Sequence, residues 1–387
     1  MTDTMIPLAI PCLGGNEWKY VKECLDTGWI SSVGPFVERF EKELARVVGA
    51  PYGVATVNGT AALHLALMVA GVEAGDEVLV PDLTFAAPVN AVIYANAHPV
   101  FIDADPKTWQ IDVNKIESFL RNECELKSGE CFNKKTKRCV KAVVAVHLLG
   151  LACEMDRIVS LAREFGLKVI EDAAEAMGVF YQGQHVGTFG DVGAFSFNGN
   201  KVITTGGGGM VVTQNKKVAD YARYLSTQAK DDPLEYVHNE VGYNYRLTNI
   251  QAALGVAQLE QLDSFLAKKR SIAAYYQEAL SKLDGIVCPS VPKDCNPAYW
   301  LYTVLLGEKT TLSQRKSVIQ FLNENGVGAR PFWHTLHDLP PFVREQSYQI
   351  EHSVRIYERG VCLPSSVSLC ADDLKKVVYI FKKALSL

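Results

Sequence analysis

The chain has 387 residues, 48% hydrophobic and 21% charged, enough for one large or two medium globular domains. Lys and Arg number 39 against 43 Asp and Glu, a formal net charge of −4, and no long basic run offers a footprint for a phosphate backbone, which argues against nucleic acid as a broad partner. The opening stretch MTDTMIPLAIPCLGG has no Lys or Arg and two prolines where a signal peptide needs an unbroken apolar run, and no later run nears the roughly 18 apolar residues that span a bilayer. The expectation is a cytosolic protein with no membrane partner.

From about residue 50 to residue 213 the chain alternates helix-period segments with short apolar runs, the pattern of an α/β domain. Asn58-Gly59-Thr60 opens a helix through AALHLALMVAG. Strands are expected at EVLVP (77–81), PVFID (99–103), KAVVAVH (141–147), LKVIEDA (167–173), VGAFSF (192–197) and GMVVT (209–213), with helices over Pro88 to Ala97 and Met155 to Phe165, the second stopped by Gly166. The segment RNECELKSGECFNKKTKRC, carrying Cys124, Cys131 and Cys139, has no C-x-x-C pair; it reads as a solvated hairpin-like insertion rather than a zinc site. A mostly parallel or mixed sheet covered on both faces follows, with ligands at the carboxyl ends of its strands. After residue 247 a long helical pattern breaks near Asp263 and Ser264, which divides the chain into an N-terminal arm plus large domain (1–262) and a smaller C-terminal α+β domain (263–387). That second part holds an apolar run from Tyr299 to Leu306, a helix from Ser313 to Glu324 closed by Gly326, and a terminal helix from Ala371.

Three features carry chemistry. Asn58 caps a helix whose first-turn N–H groups face outward, a seat for a phosphate. Asp172 follows Glu171 at the end of an apolar strand, where one of the two carboxylates caps the next turn or serves a ligand. Lys201 stands after a later strand and before Gly206 to Gly209, a run that permits positive φ and close approach of backbone to a ligand. An anion seat, a strand-end carboxylate and a lysine are together what pyridoxal phosphate requires: an anchor for its phosphate, a partner for its ring nitrogen, and an amine for its aldehyde. His334 and His337 lack a third ligand, so no metal is expected.

The stretches SSVGPFVERFE, NGTAALHLAL, GDEVLVPDLTFAAPVNAV, VHLLG, VIEDAAEAMG, GDVGAFSFNGNK, TTGGGGMVVT and GYNYRLTNIQAALGVAQLEQL resemble, in order and spacing, the DegT/StrS-type sugar aminotransferases of the aspartate-aminotransferase (type I) fold. Together with STQAKDDPLEYVHNEVGYNYR they resemble most the sub-family of legionaminic-acid-type pathways, which aminate C4 of a 4-keto-6-deoxy-N-acetylhexosamine nucleotide. The resemblance implies pyridoxal 5′-phosphate as cofactor, Lys201 as the Schiff-base lysine and Asp172 as the partner of the pyridine nitrogen. Phe85 would stack on the ring, and Gly59, Thr60, the amide of Ala61 and Ser196 would hold the phosphate. Asn244 would reach it from a second subunit, which implies a homodimer with shared sites. Ser31, Ser32, Arg246, Arg330 and His334 would meet the nucleotide sugar, and glutamate would be the amino donor. Two positions depart from the wider pattern: Glu175 stands where many members have Gln or His beside the cofactor's phenolic oxygen, and Gly207 replaces the Glu of a GEGG motif. The alternatives within the family are a GDP-perosamine-type synthase, a C3-amino sugar aminotransferase and a C3-dehydratase, the last of which has His at the lysine position; the rival of another class is a non-catalytic cofactor-binding or sensory protein on the same fold.

Overall fold

The computed structural model describes residues 5–232 and 234–386; the first four residues of the opening stretch, Pro233 of the DDPLEY run and Leu387 lie outside them. An eight-stranded sheet forms the frame. Its strands in chain order are β1 (Tyr52–Thr56), β2 (Glu77–Pro81), β3 (His98–Ile102), β4 (Val140–Val146), β5 (Lys168–Asp172), β6 (Val192–Ser196), β7 (Gly209–Thr213) and β8 (Gln346–Tyr348). Across the sheet they run β1-β7-β6-β5-β4-β2-β3-β8. β7 is antiparallel to both neighbours and every other adjacent pair is parallel. Helices cover both faces, so strands such as EVLVP and GMVVT are buried along their whole length and read as continuous apolar runs.

The helix Gly59–Val69 is apolar around its whole circumference and runs through the interior, buried from Ala61 to Leu67. Asn58 caps it as expected, its side chain accepting the Ala61 N–H at 2.8 Å. Met155–Phe165 ends at Gly166 in the left-handed region (φ 72°), which glycine adopts without a Cβ penalty.

Four local expectations change. β1 and β8 join the sheet although neither was expected. The helical break falls at Glu260 and Gln261, between helices Asn249–Leu259 and Leu262–Leu280, where the Gln258 and Gln261 side-chain amides both donate to Glu17 Oε1, at 2.6 and 2.7 Å. The insertion is a hairpin, Cys124–Lys127 with Glu130–Asn133, but its inner face is not solvated. Cys124 and Cys131 are buried beside Asn133, whose amide donates to the buried Glu77 carboxylate at 2.7 Å. All ten cysteines are free thiols, and five of them are buried.

A second core, including Ile272, Tyr276, Tyr302, Leu322, Val361 and Phe381, lies under a three-stranded antiparallel sheet of Tyr302–Leu305, Gly360–Leu363 and Arg330–Pro331. Helices Leu262–Leu280, Leu312–Glu324 and Ala371–Ala384 pack around it. Among the described residues no helix is long and apolar enough to cross a membrane.

Candidate active site

The carboxyl ends of β5 and β6, the first turn of helix Gly59–Val69, and the 300–301 and 330–333 segments enclose a cavity of about 380 Å³. Sheet topology explains the convergence. β5 and β6 are parallel neighbours with Ala194 opposite Asp172, so the residues after each strand emerge on the same edge.

Asp172 and Glu175 are both buried on that edge. Asp172 Oδ1 accepts the Ala174 N–H at 3.0 Å, and among the described residues no cation pairs with it; burial raises its pKa above the ordinary carboxylate value. Glu171, the other half of the acidic pair, has a different task. Its carboxylate accepts the N–H groups of Gly187, Phe189 and Gly190 at 2.6–2.7 Å and faces His147, which fixes the loop before β6. The pair therefore splits, one carboxylate holding a loop and the other facing the cavity.

Lys201, in the turn after β6, points into the cavity with 14% of its side chain exposed. Its Nζ lies 3.5 Å from Glu175 Oε1 and 3.9 Å from the centre of the Trp300 indole. Glu175 Oε2 accepts the Leu149 N–H at 2.8 Å, from a turn in which Leu149 takes φ 60°. Burial pushes the Glu175 carboxyl up to about 7, against the opposing pull of Lys201. A carboxyl raised this far toward its neutral form need not repel a phenolic oxygen placed beside it.

The helix start provides the anion seat. Because Asn58 takes the Ala61 amide, the free first-turn amides bordering the cavity are those of Gly59 and Thr60, and of the expected set Gly59, Thr60 and Ala61 only Ala61 drops out. Ser196 stands against them. A Cβ on Gly59 would lie 2.7 Å from Ser196 Cβ and 2.9 Å from its Oγ, so glycine is what leaves room between helix and hydroxyl. Gly207 and Gly208 border the same space, with Gly206 and Gly208 at positive φ (78° and 106°). Phe85, Arg330 and Trp333 complete the rim, Trp333 stacked on Trp300 with ring centres 5.9 Å apart and planes at 13°.

The remaining expected residues fall elsewhere. His334 does not line the cavity: its ring packs on Tyr357, centroids 4.4 Å apart, and Nδ1 faces the Thr335 carbonyl at 2.9 Å. His337 pairs instead with buried Asp82 at 2.9 Å. Ser32, Asn244 and Arg246 line a second cavity of about 580 Å³ with Arg223, Lys230 and His238, and Arg246 is ion-paired there with Glu41 at 3.0 Å. Ser31 enters neither lining, while its carbonyl accepts the Asn249 N–H at 2.6 Å. Trp300 and Trp333 had no sequence signal, because Trp300 sits inside a run that reads as core strand and nothing local distinguishes it.

An anion seat at a helix start, a desolvated carboxyl without a cation, and a primary amine within one cavity fit the phosphate, ring nitrogen and aldehyde of pyridoxal 5′-phosphate. Fold and site together define a pyridoxal-phosphate enzyme of the aspartate-aminotransferase fold. The chain belongs to the DegT/DnrJ/EryC1/StrS aminotransferase family, whose profile matches residues 11–382, and pyridoxal 5′-phosphate is its cofactor. It is 41% identical over 381 residues to a GDP-perosamine synthase of Caulobacter vibrioides, covering 98% of each chain. A putative pyridoxal phosphate-dependent aminotransferase, EpsN, of Bacillus subtilis is 40% identical over 380 residues, 97% of this chain and 94% of that one. Among solved structures, the aminotransferase TlmJ of Streptoalloteichus hindustanus superposes with a TM-score of 0.88 at 29% identity, over 99% of both chains.

Proposed function

We propose that the chain transfers an amino group from glutamate to the C4 ketone of a nucleotide-linked 4-keto-6-deoxy sugar, giving a 4-amino sugar for a surface glycan or a nonulosonic acid of the legionaminic type. The observation that carries the transamination is the placement of Lys201 Nζ among Glu175, Trp300 and the phosphate seat, with Asp172 buried in the same cavity. The 4-keto sugar is supported by the relatives named GDP-perosamine synthase, since perosamine is itself a 4-amino-6-deoxy sugar. Those relatives favour a GDP-linked mannose-type substrate as the second reading beside an N-acetylated one.

The cofactor, when bound, supplies an electron sink for the carbanion that develops at the donor's α-carbon. Gly59, Thr60 and Ser196 hold its phosphate. Asp172, taken out of water, keeps its charge only against a cation, so it holds the proton on the ring nitrogen. Lys201 would hold the cofactor's aldehyde, and its Nζ, when free, would take the proton from the α-carbon of glutamate. In the second half-reaction the same amine delivers a proton to C4 of the sugar. Asn244, with Ser31, Ser32 and Arg246, acts in this reading on the site of a second subunit, and Arg330 at the rim meets the anionic part of a substrate.

A panel of UDP- and GDP-linked 4-keto-6-deoxy sugars, with and without the N-acetyl group, incubated with enzyme and glutamate tests the reading. Mass and NMR analysis should find nitrogen at C4 of one of them. A product aminated at C3, or none with any 4-keto sugar, overturns it.

A further inference from the structure

Trp300 is bound to the lysine from two sides. Its indole face lies 3.9 Å from Lys201 Nζ, and its Nε1–H donates to the carbonyl of Asn200, the residue before the lysine, at 2.6 Å. The ring is nearly buried and cannot swing away: Trp333 stacks on it, and Lys269 donates to the Trp300 carbonyl at 2.9 Å and to the Ser365 carbonyl at 2.9 Å. Lys269 is buried and ion-paired with no carboxylate among the described residues, so its ammonium is committed to those two carbonyls.

We infer that Trp300 is a catalytic residue of the transamination: its π face receives the ammonium of Lys201 whenever that amine is not covalently engaged, and so orients the amine and stabilises the proton it has just taken. The physics is the attraction of a cation to the negative face of an indole, strongest when both are withdrawn from water, as here. Proton abstraction leaves Lys201 as an ammonium, so a group that favours the ammonium and fixes its direction lowers the barrier of the step that creates it. Glu175 faces the same amine from the other side, Oε1 at 3.5 Å, so the ammonium is held between a carboxyl and the indole face. The inference rests on Lys201 being the reacting lysine.

The experiment compares wild type, Trp300→Phe and Trp300→Leu in the glutamate half-reaction, each also in the Lys201→Ala background supplied with ethylamine. Borohydride reduction and peptide mapping of the wild type first establish whether the cofactor is held by Lys201, so failure of that assignment is read separately. Trp300→Leu is expected to lower the half-reaction rate roughly ten- to a hundredfold with the KM for glutamate within about twofold, and Trp300→Phe to fall between, since it keeps a weaker π face. In the Lys201→Ala background the loss on Trp300→Leu should be smaller for the ethylamine-rescued rate, because a free amine is not tethered to the Asn200 backbone that the indole also holds. In cofactor-free protein, amine-reactive labelling of Lys201 at neutral pH should rise severalfold in Trp300→Leu. A loss that falls wholly on KM, or one that persists undiminished in the rescued background, makes the indole a substrate wall or a packing element and overturns the inference. So does an unchanged rate in Trp300→Leu.

Discussion

The two cavities differ in how far their polar groups are satisfied. In the second one both arginines are answered by a carboxylate behind the lining: Glu41 pairs with Arg246 at 3.0 Å and with Arg223 at 2.9 Å, and it also accepts the Ala55 N–H. In the first one Asp172 has no ion-pair partner among the described residues, burial raises both carboxyls, and the start of the helix lies directly against Ser196. Unspent polar groups inside a wall mark a place prepared for a ligand, whereas a surface pocket whose arginines are already paired needs a further body to give it meaning. For Asn244 and Ser32 the proposed body is a second copy of the chain.

The sharpest break of this contrast is Lys201→Ala. Covalent attachment of the cofactor should vanish and turnover should fall by roughly 10⁴ or more, as for loss of other group-transfer nucleophiles. Reduced cofactor found on any other lysine would move the first cavity's chemistry elsewhere. Asp172→Asn comes next, with an expected loss of about 10² to 10⁴ in rate and retained folding, because a neutral amide cannot keep the ring nitrogen protonated. Turnover near wild type would remove that carboxyl from the reaction. Asn244→Ala probes the second cavity: co-expression with Lys201→Ala should give heterodimers with one intact site and up to half the wild-type activity per dimer. A mixture no better than the Asn244→Ala chain alone shows that Asn244 serves its own chain.

The smallest effect concerns Lys269, whose burial lowers its pKa from 10.5 to about 7. The unfolded lysine stays protonated up to 10.5, so between about pH 7 and 10.5 the unfolded state binds more protons and stability rises with pH through this group. Below about 7 the cost of burying the charge is fully present. Lys269→Met should therefore remove on the order of 2 kcal/mol of the gain in unfolding free energy between pH 7 and 9. Parallel pH slopes for variant and wild type in chemical denaturation would show that the ammonium is not desolvated as its contacts require.

Six of the strands and the helix stops at Gly166 and Gly326 were legible because their signals are local: a continuous apolar run for a strand covered on both faces, and glycine where the chain turns left-handed. β1 was not. In Tyr-Gly-Val-Ala-Thr the glycine interrupts the apolar run, yet Gly53 is there for packing, since a Cβ would lie 2.9 Å from both the Glu41 carbonyl and Met210 Sδ. β8 is a polar tripeptide that pairs only because β3 offers an edge. In the site, Lys201, Asp172 and Ser196 could be named from strand ends and resemblance, while Trp300, Trp333 and the Leu149 amide come from segments that meet only after folding. His334 was misplaced for the same reason: ARPFWHTLH carries two polar rings and an indole within a few residues, and only the tertiary turn decides that Trp333 faces inward while His334 packs on Tyr357.

The pairing of β8 with β3 sets an order of assembly. Gln346, Ser347 and Tyr348 lie opposite Val100, Phe101 and Ile102, so the border strand of the main sheet is contributed by a part of the polypeptide that leaves the ribosome nearly 250 residues after its neighbour. Until then β3 is an open edge of apolar, both-faces-buried sequence, the kind of template on which nascent chains adhere to one another. Fragments ending before residue 346 should accordingly be recovered as aggregates even when everything needed for the first seven strands has been synthesised.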